Sequence, residues 1–330
     1  MKFKKIIIII LLIFLPIITA IISLSIGRMT ISFDEIYKSI FNYADADKTA
    51  RLIIINFRIP RVILAILSGI GLSIAGLSFQ ALFSNPLATP DTIGVASGAS
   101  FGAVLSILIF NKFIYVQIIS VLMGILAVSI TWFNAKSKNL NISYLILSGI
   151  MVGSVFNALV SLIKFVADPD SKLPTITYWL MGGLGNAGYK SIAIGGPIII
   201  ICVIIIYLLR WRLNLLSLSE DELFSQGVDV KKLRISIIIL STIMTSSVIS
   251  MCGQVGWVGL IVPHLCKMKF GNNHVKLVPI VISLGSCFMI IVDTLARTFT
   301  ATEIPISILT ALIGAPFFIY LLRIMRKTSN

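Results

Sequence analysis

The sequence predicts an all-α polytopic membrane protein with about ten transmembrane helices. The first observation is composition, since 57% of the 330 residues are hydrophobic and only 12% are charged. Soluble domains carry roughly twice that share of charged residues. The second observation is patterning, because the apolar residues form continuous runs and not the alternation that a transmembrane barrel requires. We therefore expect one transmembrane domain over residues 1–330.

The apolar runs have the length of membrane spans. A hydrocarbon core about 30 Å thick requires around 20 apolar residues for each helical crossing. The shortest of the runs begins at residue 255. The predicted spans are 6–25, 62–83, 93–110, 115–134, 142–166, 190–209, 234–252, 255–268, 276–296 and 304–323.

The first span follows a basic amino terminus, MKFKK. This arrangement also occurs in signal peptides, and a cleavage site near Ala20 is the alternative. The apolar stretch from Ile6 to Leu24 is longer than the h-region of about 7–15 residues that signal peptides use. We therefore predict a retained first helix.

The second and third spans are separated by a polar, glycine- and proline-rich break. It covers residues 75–99 and reads AGLSFQALFSNPLATPDTIGVASGA. Backbone that leaves a helix within lipid must find its hydrogen-bond partners in protein or along a water-lined path. The break is therefore a candidate gate, or one end of a conduit.

Small residues recur every fourth position in the third and fifth spans. Gly94, Gly98 and Gly102 form one such series, and Gly149 and Gly153 form the other. This spacing lets two helices approach closely. We expect these glycines to pack helices together and not to contact a ligand.

The connection between the fifth and sixth spans contains YWLMGGLG at 178–185. It is long enough to hold a short extra helix around residues 173–183. A half-helix of this kind at the outer mouth of a bundle suggests a gate.

The connection between the sixth and seventh spans carries an acidic cluster, Glu220, Asp221 and Glu222. Ser219 and Glu222 have the spacing of a capping box, and Gly227 is suited to end the helix that such a box would begin. One interpretation is a solvated loop. The other is a short amphipathic helix on which a soluble partner docks.

Basic residues indicate the orientation. If the amino terminus is cytoplasmic and ten helices alternate, 16 of the 27 lysines and arginines fall on the cytoplasmic side. The positive-inside rule then places both termini in the cytoplasm. The same rule accounts for much of the net charge of +14, so nucleic acid is not an expected partner.

Several charges lie on the outward side of this topology. Arg58 and Arg61 stand at the mouth of the second span, where they either snorkel to lipid headgroups or receive carboxylates from an extracellular partner. Arg297 follows Asp293 by one helical turn, which predicts an ion pair on one helix face. Glu303 is close enough in sequence to complete a small outward network.

Other kinds of site have little support in the sequence. It contains no GxxxxGK[ST] phosphate loop, so a nucleotide that drives transport would bind to another polypeptide. The two histidines, His264 and His274, and the four cysteines lack metal-ligand spacing, and no nucleophile and base pattern is present. We expect no catalytic residue, no metal and no cofactor.

Together these segments resemble the FecCD family of ATP-binding-cassette importer permeases, which serve iron-siderophore, haem and vitamin B12 uptake. Further motifs of the resemblance are GQVGWVGLIVPHL, DTLAR and EIPISILTALIGAPFFIYLL. They occupy residues 253–265, 293–297 and 303–322. The order and spacing of the motifs cover nearly the whole chain after the first helix.

The resemblance implies a ten-helix subunit in the plasma membrane of a bacterium. Its implied partners are a second permease subunit, identical or different, two cytoplasmic ATPase subunits and an extracytoplasmic substrate-binding protein. Membrane lipid around the spans is a further expected partner. By the same resemblance, Arg58, Arg61 and Arg297 receive acidic residues of the binding protein, and Asn85 and Leu87 form the cytoplasmic gate. Residues 218–228, with Ser219, Glu220, Asp221, Glu222 and Gly227, would seat on the ATPase.

The resemblance implies a transport subunit and not an enzyme, with ATP hydrolysis on a separate chain. Iron-siderophore complexes are the expected substrate, and haem and vitamin B12 are alternatives within the family. An ion-coupled secondary transporter is the alternative from a different class. It would need a membrane-embedded acidic residue, and Asp293 is the candidate.

Overall fold

The structure, a computed structural model, describes most of the chain. It covers residues 2–42, 45–110, 112–135, 142–185, 188–216, 229–300 and 302–328, with side chains described from residue 10 to residue 319 within these ranges. The described residues form helices, turns and loops and contain no β-strand, so the predicted all-α class is confirmed.

The α-helices are numbered in chain order. They are α1 (Lys2–Ser25), α2 (Phe33–Phe41), α3 (Lys48–Ile53), α4 (Ile59–Leu82), α5 (Val95–Ile109), α6 (Phe113–Ala135), α7 (Ile142–Val166), α8 (Lys172–Leu180), α9 (Tyr189–Leu215), α10 (Val230–Cys252), α11 (Val258–Phe270), α12 (His274–Thr298) and α13 (Ile306–Thr328).

Each of the ten predicted spans coincides with one of these helices. Six helical segments within the described ranges are long and apolar enough to cross a membrane. They are Lys48–Leu82, Phe113–Ala135, Ile142–Val166, Tyr189–Leu215, Val230–Cys252 and His274–Thr298. Shorter apolar stretches lie in α1, α5 and α13, and the predicted short helix near 173–183 is confirmed as α8.

Several helix boundaries differ from the predicted spans by three to six residues, and two of them have a visible local cause. α9 continues to Leu215 instead of stopping at residue 209, because a helix can extend beyond its apolar residues into the polar region outside the membrane. In this extension the guanidinium of Arg210 lies over the Tyr207 ring, 3.8 Å from its centroid. α11 begins at Val258 and not at residue 255. The main chain turns at Trp257, where φ is +68° and the N–H of Val258 donates to the carbonyl of Gly256 at 2.8 Å.

Helix α4 lies at the centre of the bundle. It contacts α9, α10, α11 and α12, and its residues from Gly71 to Leu82 are all buried. A second group forms where α5 packs against α6 and α7. Since α4 runs through the middle, its two ends place the residues just before and just after it at opposite ends of the bundle.

The break between the second and third spans is shorter than the sequence suggested. Residues 75–82 belong to α4, and residues 95–99 belong to α5. The small residues of α4 do not end the helix. They let it pack closely on a neighbour, since Gly76 lies directly against the backbone of Gly259 in α11. The non-helical path therefore narrows to the residues around Asn85 and a single 3₁₀ turn, Pro90–Ile93.

The predicted glycine packing is confirmed. A β-carbon added at Gly98 would lie 2.7 Å from the carbonyl oxygen of Met123 in α6, and one at Gly149 would lie 2.5 Å from the Cα of Ile93. Gly94 begins α5 with φ of +83°, a left-handed conformation that glycine adopts at little cost. These close approaches hold α5, α6 and α7 together.

Candidate functional site

A cluster of five charged side chains lies at the end of the bundle where α4 begins. We call this the arginine end, and its charged residues are Arg58, Arg61, Asp293, Arg297 and Glu303. Arg58 closes a π-helical turn, Ile54–Arg58, which leads directly into α4. Arg61 stands in the first turn of α4, just after Pro60, whose missing N–H interrupts the hydrogen-bond ladder where the π-helical turn meets α4.

Arg61 is the centre of the cluster. Its Nε donates to both oxygens of Asp293, at 2.8 and 3.0 Å, and its Nη1 donates to Oε1 of Glu303 at 2.7 Å. The Asp293 side chain is only 1% exposed. A buried carboxylate is costly unless it is paired and hydrogen-bonded, so Arg61 makes the burial of Asp293 possible.

Arg297 forms the predicted pair with Asp293. Its Nε lies 3.7 Å from Asp293 Oδ2, and its Nη2 donates to the hydroxyl of Ser23 in α1 at 2.8 Å and to the Ser23 carbonyl. The predicted network with Glu303 is also confirmed, since Arg61 links that residue to Asp293. Sequence spacing showed the Asp293–Arg297 pair, whereas the contact between Arg61 and Asp293 joins residues far apart in the chain and left no local signal.

Arg58 is buried beside these groups, with 6% of its surface exposed. Its guanidinium donates to the carbonyl of Ser25 at 3.2 Å and to the carbonyls of Leu24 and Met29. The structure thus brings together the three arginines that the sequence singled out. Each of them already has partners within the chain.

The opposite end of the bundle contains Asn85 and Leu87, and we call it the Asn85 end. The Oδ1 of Asn85 accepts a hydrogen bond from the N–H of Leu87 at 2.9 Å. The Asn85 N–H donates to the Gln80 carbonyl at 3.2 Å. The turn is therefore fixed by local hydrogen bonds, while the Leu87 side chain is 51% exposed and projects from it.

A cavity of about 460 Å³ lies beside this turn. Asn85 and Pro86 line it, together with residues at or next to the ends of α4, α9, α11 and α12. The other polar or basic residues of the lining are Gln80, Ser84, Asn214, His264, Lys267, Asn272 and His274. Gln80 is 2% exposed, and neither of its side-chain polar atoms has a hydrogen-bond partner among the described residues.

No sequence pattern connected the two histidines, but the structure places both of them at this cavity. His274 Nδ1 lies 2.9 Å from Oδ1 of Asn214, and His264 packs on the Phe318 ring with the centroids 5.6 Å apart. The spacing of His264 and His274 in the sequence did not show that their side chains reach the same cavity. Among the described residues, no group of three or more histidine, cysteine, aspartate or glutamate side chains is arranged to hold a metal ion.

The predicted ATPase-coupling residues lie outside the described residues. These are Ser219, Glu220, Asp221, Glu222 and Gly227, all within the stretch 217–228.

Known proteins resemble this chain over nearly its full length. The molybdate import system permease of Haemophilus influenzae is 39% identical over 308 residues, which cover 92% of this chain and 91% of that protein. A probable iron chelatin transport system permease of Helicobacter pylori is 34% identical, with 93% and 95% covered.

A solved structure gives the same result. A metal-chelate type ABC transporter in an inward-facing conformation matches with a TM-score of 0.87 and 38% sequence identity, covering 96% of this chain and 98% of that chain. The FecCD transport family matches residues 12–324. The chain belongs to the FecCD transport family and is a permease of an ABC importer.

Proposed function

We propose that this permease receives substrate at the arginine end and releases it at the Asn85 end. In this proposal the chain acts as one transmembrane domain in a bacterial plasma membrane, and both termini are cytoplasmic. A second permease subunit completes the pathway, and two ATPase subunits on separate chains drive alternating access. The observation that carries the proposal is the family match over residues 12–324, combined with a central helix whose two ends place distinct polar sites at opposite ends of the bundle.

The charge balance at the arginine end supports docking of an acidic, extracytoplasmic binding protein. The cluster contains three guanidinium groups and two carboxylates, which leaves one positive charge in excess. Asp293 is enclosed, whereas the Glu303 side chain is 29% exposed. A carboxylate from outside can therefore replace Glu303 on Arg61 without disturbing Asp293.

The Asn85 end supports a gate that faces the cytoplasm. Lys267 and Lys276 belong to this end, because they lie near the junction of α11 and α12. In the predicted topology this end is cytoplasmic, and 16 of the 27 lysines and arginines fall on the cytoplasmic side, as the positive-inside rule requires. Leu87 projects from a hydrogen-bonded turn, so a small movement of the turn would move an apolar side chain across the exit.

We propose an iron-siderophore complex as the substrate, with haem and vitamin B12 as alternatives. Relatives named for iron chelatin and hemin transport are 34% and 32% identical to the chain. Molybdate is a second candidate, favoured by the 39% identity to a molybdate permease. An ion-coupled mechanism has weaker support, because Asp293 is held by Arg61 and Arg297 and is not available to exchange protons or ions.

Reconstitution tests the proposal. Liposomes that contain the permease, a candidate ATPase and a candidate binding protein should take up ⁵⁵Fe-labelled siderophore only when ATP is present. Uptake of ⁹⁹Mo-molybdate instead would favour the second candidate. Uptake without any ATPase would contradict the ABC mechanism and support ion coupling.

The docking step has its own test. Replacing Arg58 and Arg61 with glutamate should weaken binding-protein affinity about tenfold or more, since like charges that face each other at an interface cost several kcal/mol. Because Arg61 also pairs with the buried Asp293, the affinity is compared only in protein that keeps the size-exclusion profile of the unchanged chain. Lys48→Glu is the matched control, because Lys48 is an exposed cation at the start of α3 outside the cluster. Unchanged affinity in the double variant would remove the arginines from the docking site.

A further inference from the structure

The residues that follow α8 form hydrogen bonds with two other helices. The Gly183 N–H donates to the carbonyl of Cys252, the last residue of α10, at 2.8 Å. The carbonyl of Gly182 accepts from the N–H of Ile306, at the start of α13, at 3.0 Å. The Ser307 hydroxyl donates to the Met181 carbonyl at 2.5 Å. Residues 181–185, which we call the cover segment, thus lie across the end of α10.

Glu303 lies between this cover segment and the arginine cluster. Its Oε1 accepts from Arg61 at 2.7 Å, and its Oε2 lies only 3.0 Å from where a β-carbon would stand at Gly185. The same position is 4.0 Å from Arg61 Nη1. The glycine therefore allows the carboxylate and the guanidinium to pack directly against the cover segment.

Arg61 has two carboxylate partners that differ in exposure to solvent. Asp293 is 1% exposed and Glu303 is 29% exposed. When a competing carboxylate approaches from solvent, Asp293 keeps the guanidinium in place and Glu303 is the partner that leaves. The displaced side chain is the one in contact with the cover segment.

We propose that Glu303 is a positioning residue that couples occupation of Arg61 to the cover segment. While Glu303 is paired with Arg61, its carboxylate packs against Gly185 and the segment stays over the end of α10. When the pair is broken, the segment loses this contact and opens more often. The inference rests on the proposed docking at Arg61 only for the identity of the competing carboxylate.

Cys252 provides a native reporter for this movement. It is 2% exposed and lines a small cavity of about 30 Å³ together with Tyr178, Trp179, Gly183 and Gly185. A water-soluble maleimide reaches this thiol only when the cover segment lifts. Cys202, which is 4% exposed in the middle of α9, reports on general loosening of the bundle.

The experiment measures maleimide labelling rates of the full chain in lipid nanodiscs, with Cys252 or Cys202 as the single cysteine. We expect Glu303→Gln to speed labelling of Cys252 about fivefold or more, the population change that a modest loss of stability produces, and to leave Cys202 unchanged. Asp34→Asn is the matched control, because it breaks an exposed carboxylate pair with Lys38 (2.5 Å) away from the cover segment. It should leave both rates unchanged.

A second pair of variants perturbs the contact from the other side. Gly185→Ala adds a methyl group against the Glu303 carboxylate and should also speed labelling of Cys252. Gly183→Ala should not do so, because nothing lies within 4 Å of its added β-carbon.

Two results would overturn the coupling role. One is an unchanged Cys252 rate in Glu303→Gln, and the other is an equal acceleration at Cys202. The assay contains no binding protein, so a failure of the proposed docking at Arg58 and Arg61 leaves its outcome untouched.

Discussion

Replacing Arg61 with methionine tests how far the arginine end depends on one ion pair. The change keeps most of the side-chain volume but removes the two hydrogen bonds to Asp293, at 2.8 and 3.0 Å. It leaves a carboxylate that is 1% exposed with only Arg297 nearby, at 3.7 Å. We therefore expect a large loss of stability, followed by recovery when Asp293 is also neutralised.

The size of the effect follows from burial. Removing one partner of a buried pair costs about 3–5 kcal/mol, and the remaining contact with Arg297 places Arg61→Met near the lower value, about 3 kcal/mol. With an unfolding entropy of about 2.1 cal/mol/K per residue, a chain of 330 residues has about 0.7 kcal/mol/K in total. The midpoint of thermal unfolding should therefore fall by about 4 °C.

Thermal unfolding in detergent, followed with a thiol-reactive fluorophore, measures this change because all four cysteines are buried. The double variant Arg61→Met/Asp293→Asn should recover at least half of the lost stability, since the amide removes the unpaired charge. If the double variant unfolds at the same temperature as Arg61→Met or below it, the dependence of Asp293 on Arg61 is refuted. An unchanged midpoint in Arg61→Met would refute it as well.

Three further predictions concern the core, the cavity and the gate. Gly76→Val should prevent folding, because its β-carbon would overlap the backbone of α11, whereas Gly183→Ala should fold normally. Size-exclusion chromatography measures both, and a normal profile for Gly76→Val as well would contradict the close packing of α4 on α11. Gln80→Leu should keep or raise the midpoint of thermal unfolding, since it removes two buried polar atoms that have no hydrogen-bond partner among the described residues. Each such atom costs about 1–3 kcal/mol. A clear fall in the midpoint would show that the Gln80 amide is hydrogen-bonded in the folded protein. Under the proposed gate, tryptophan at Asn85 or Leu87 should reduce ATP-driven uptake in liposomes, and full uptake in both variants would exclude these residues from the gate.

The membrane spans were predictable because lipid imposes a simple requirement. Every backbone group within the hydrocarbon must be paired inside its own segment, so a run of apolar residues is already a helix prediction. The boundaries were less predictable. At the end of α9, Arg210 and Arg212 lie on helix that continues beyond the apolar run, and at Trp257 a turn with positive φ delays the start of α11.

The candidate site was predictable only where its residues are neighbours on one helix. Asp293 and Arg297 are four residues apart, so their pairing follows from helical geometry. The closer partner of Asp293 is Arg61, which comes from a helix much earlier in the chain. The cavity at the Asn85 end was not predictable for the same reason. Gln80, His264 and His274 are far apart in the chain or lie on different helices, and they meet only after α4, α11 and α12 have packed.

The internal pairing of the arginine end bears on how strongly a partner can bind there. Under the proposed docking, a carboxylate that replaces Glu303 on Arg61 exchanges one charge-assisted hydrogen bond for another, so the exchange itself contributes little net affinity. The excess positive charge of the cluster speeds the encounter, while the displaced Glu303 competes for the site and speeds release. An importer that must accept and release a binding protein in every cycle is served by this balance, because a free arginine at the same position would hold the partner longer. By this argument, Glu303→Gln should slow the release of the binding protein more than it changes its association.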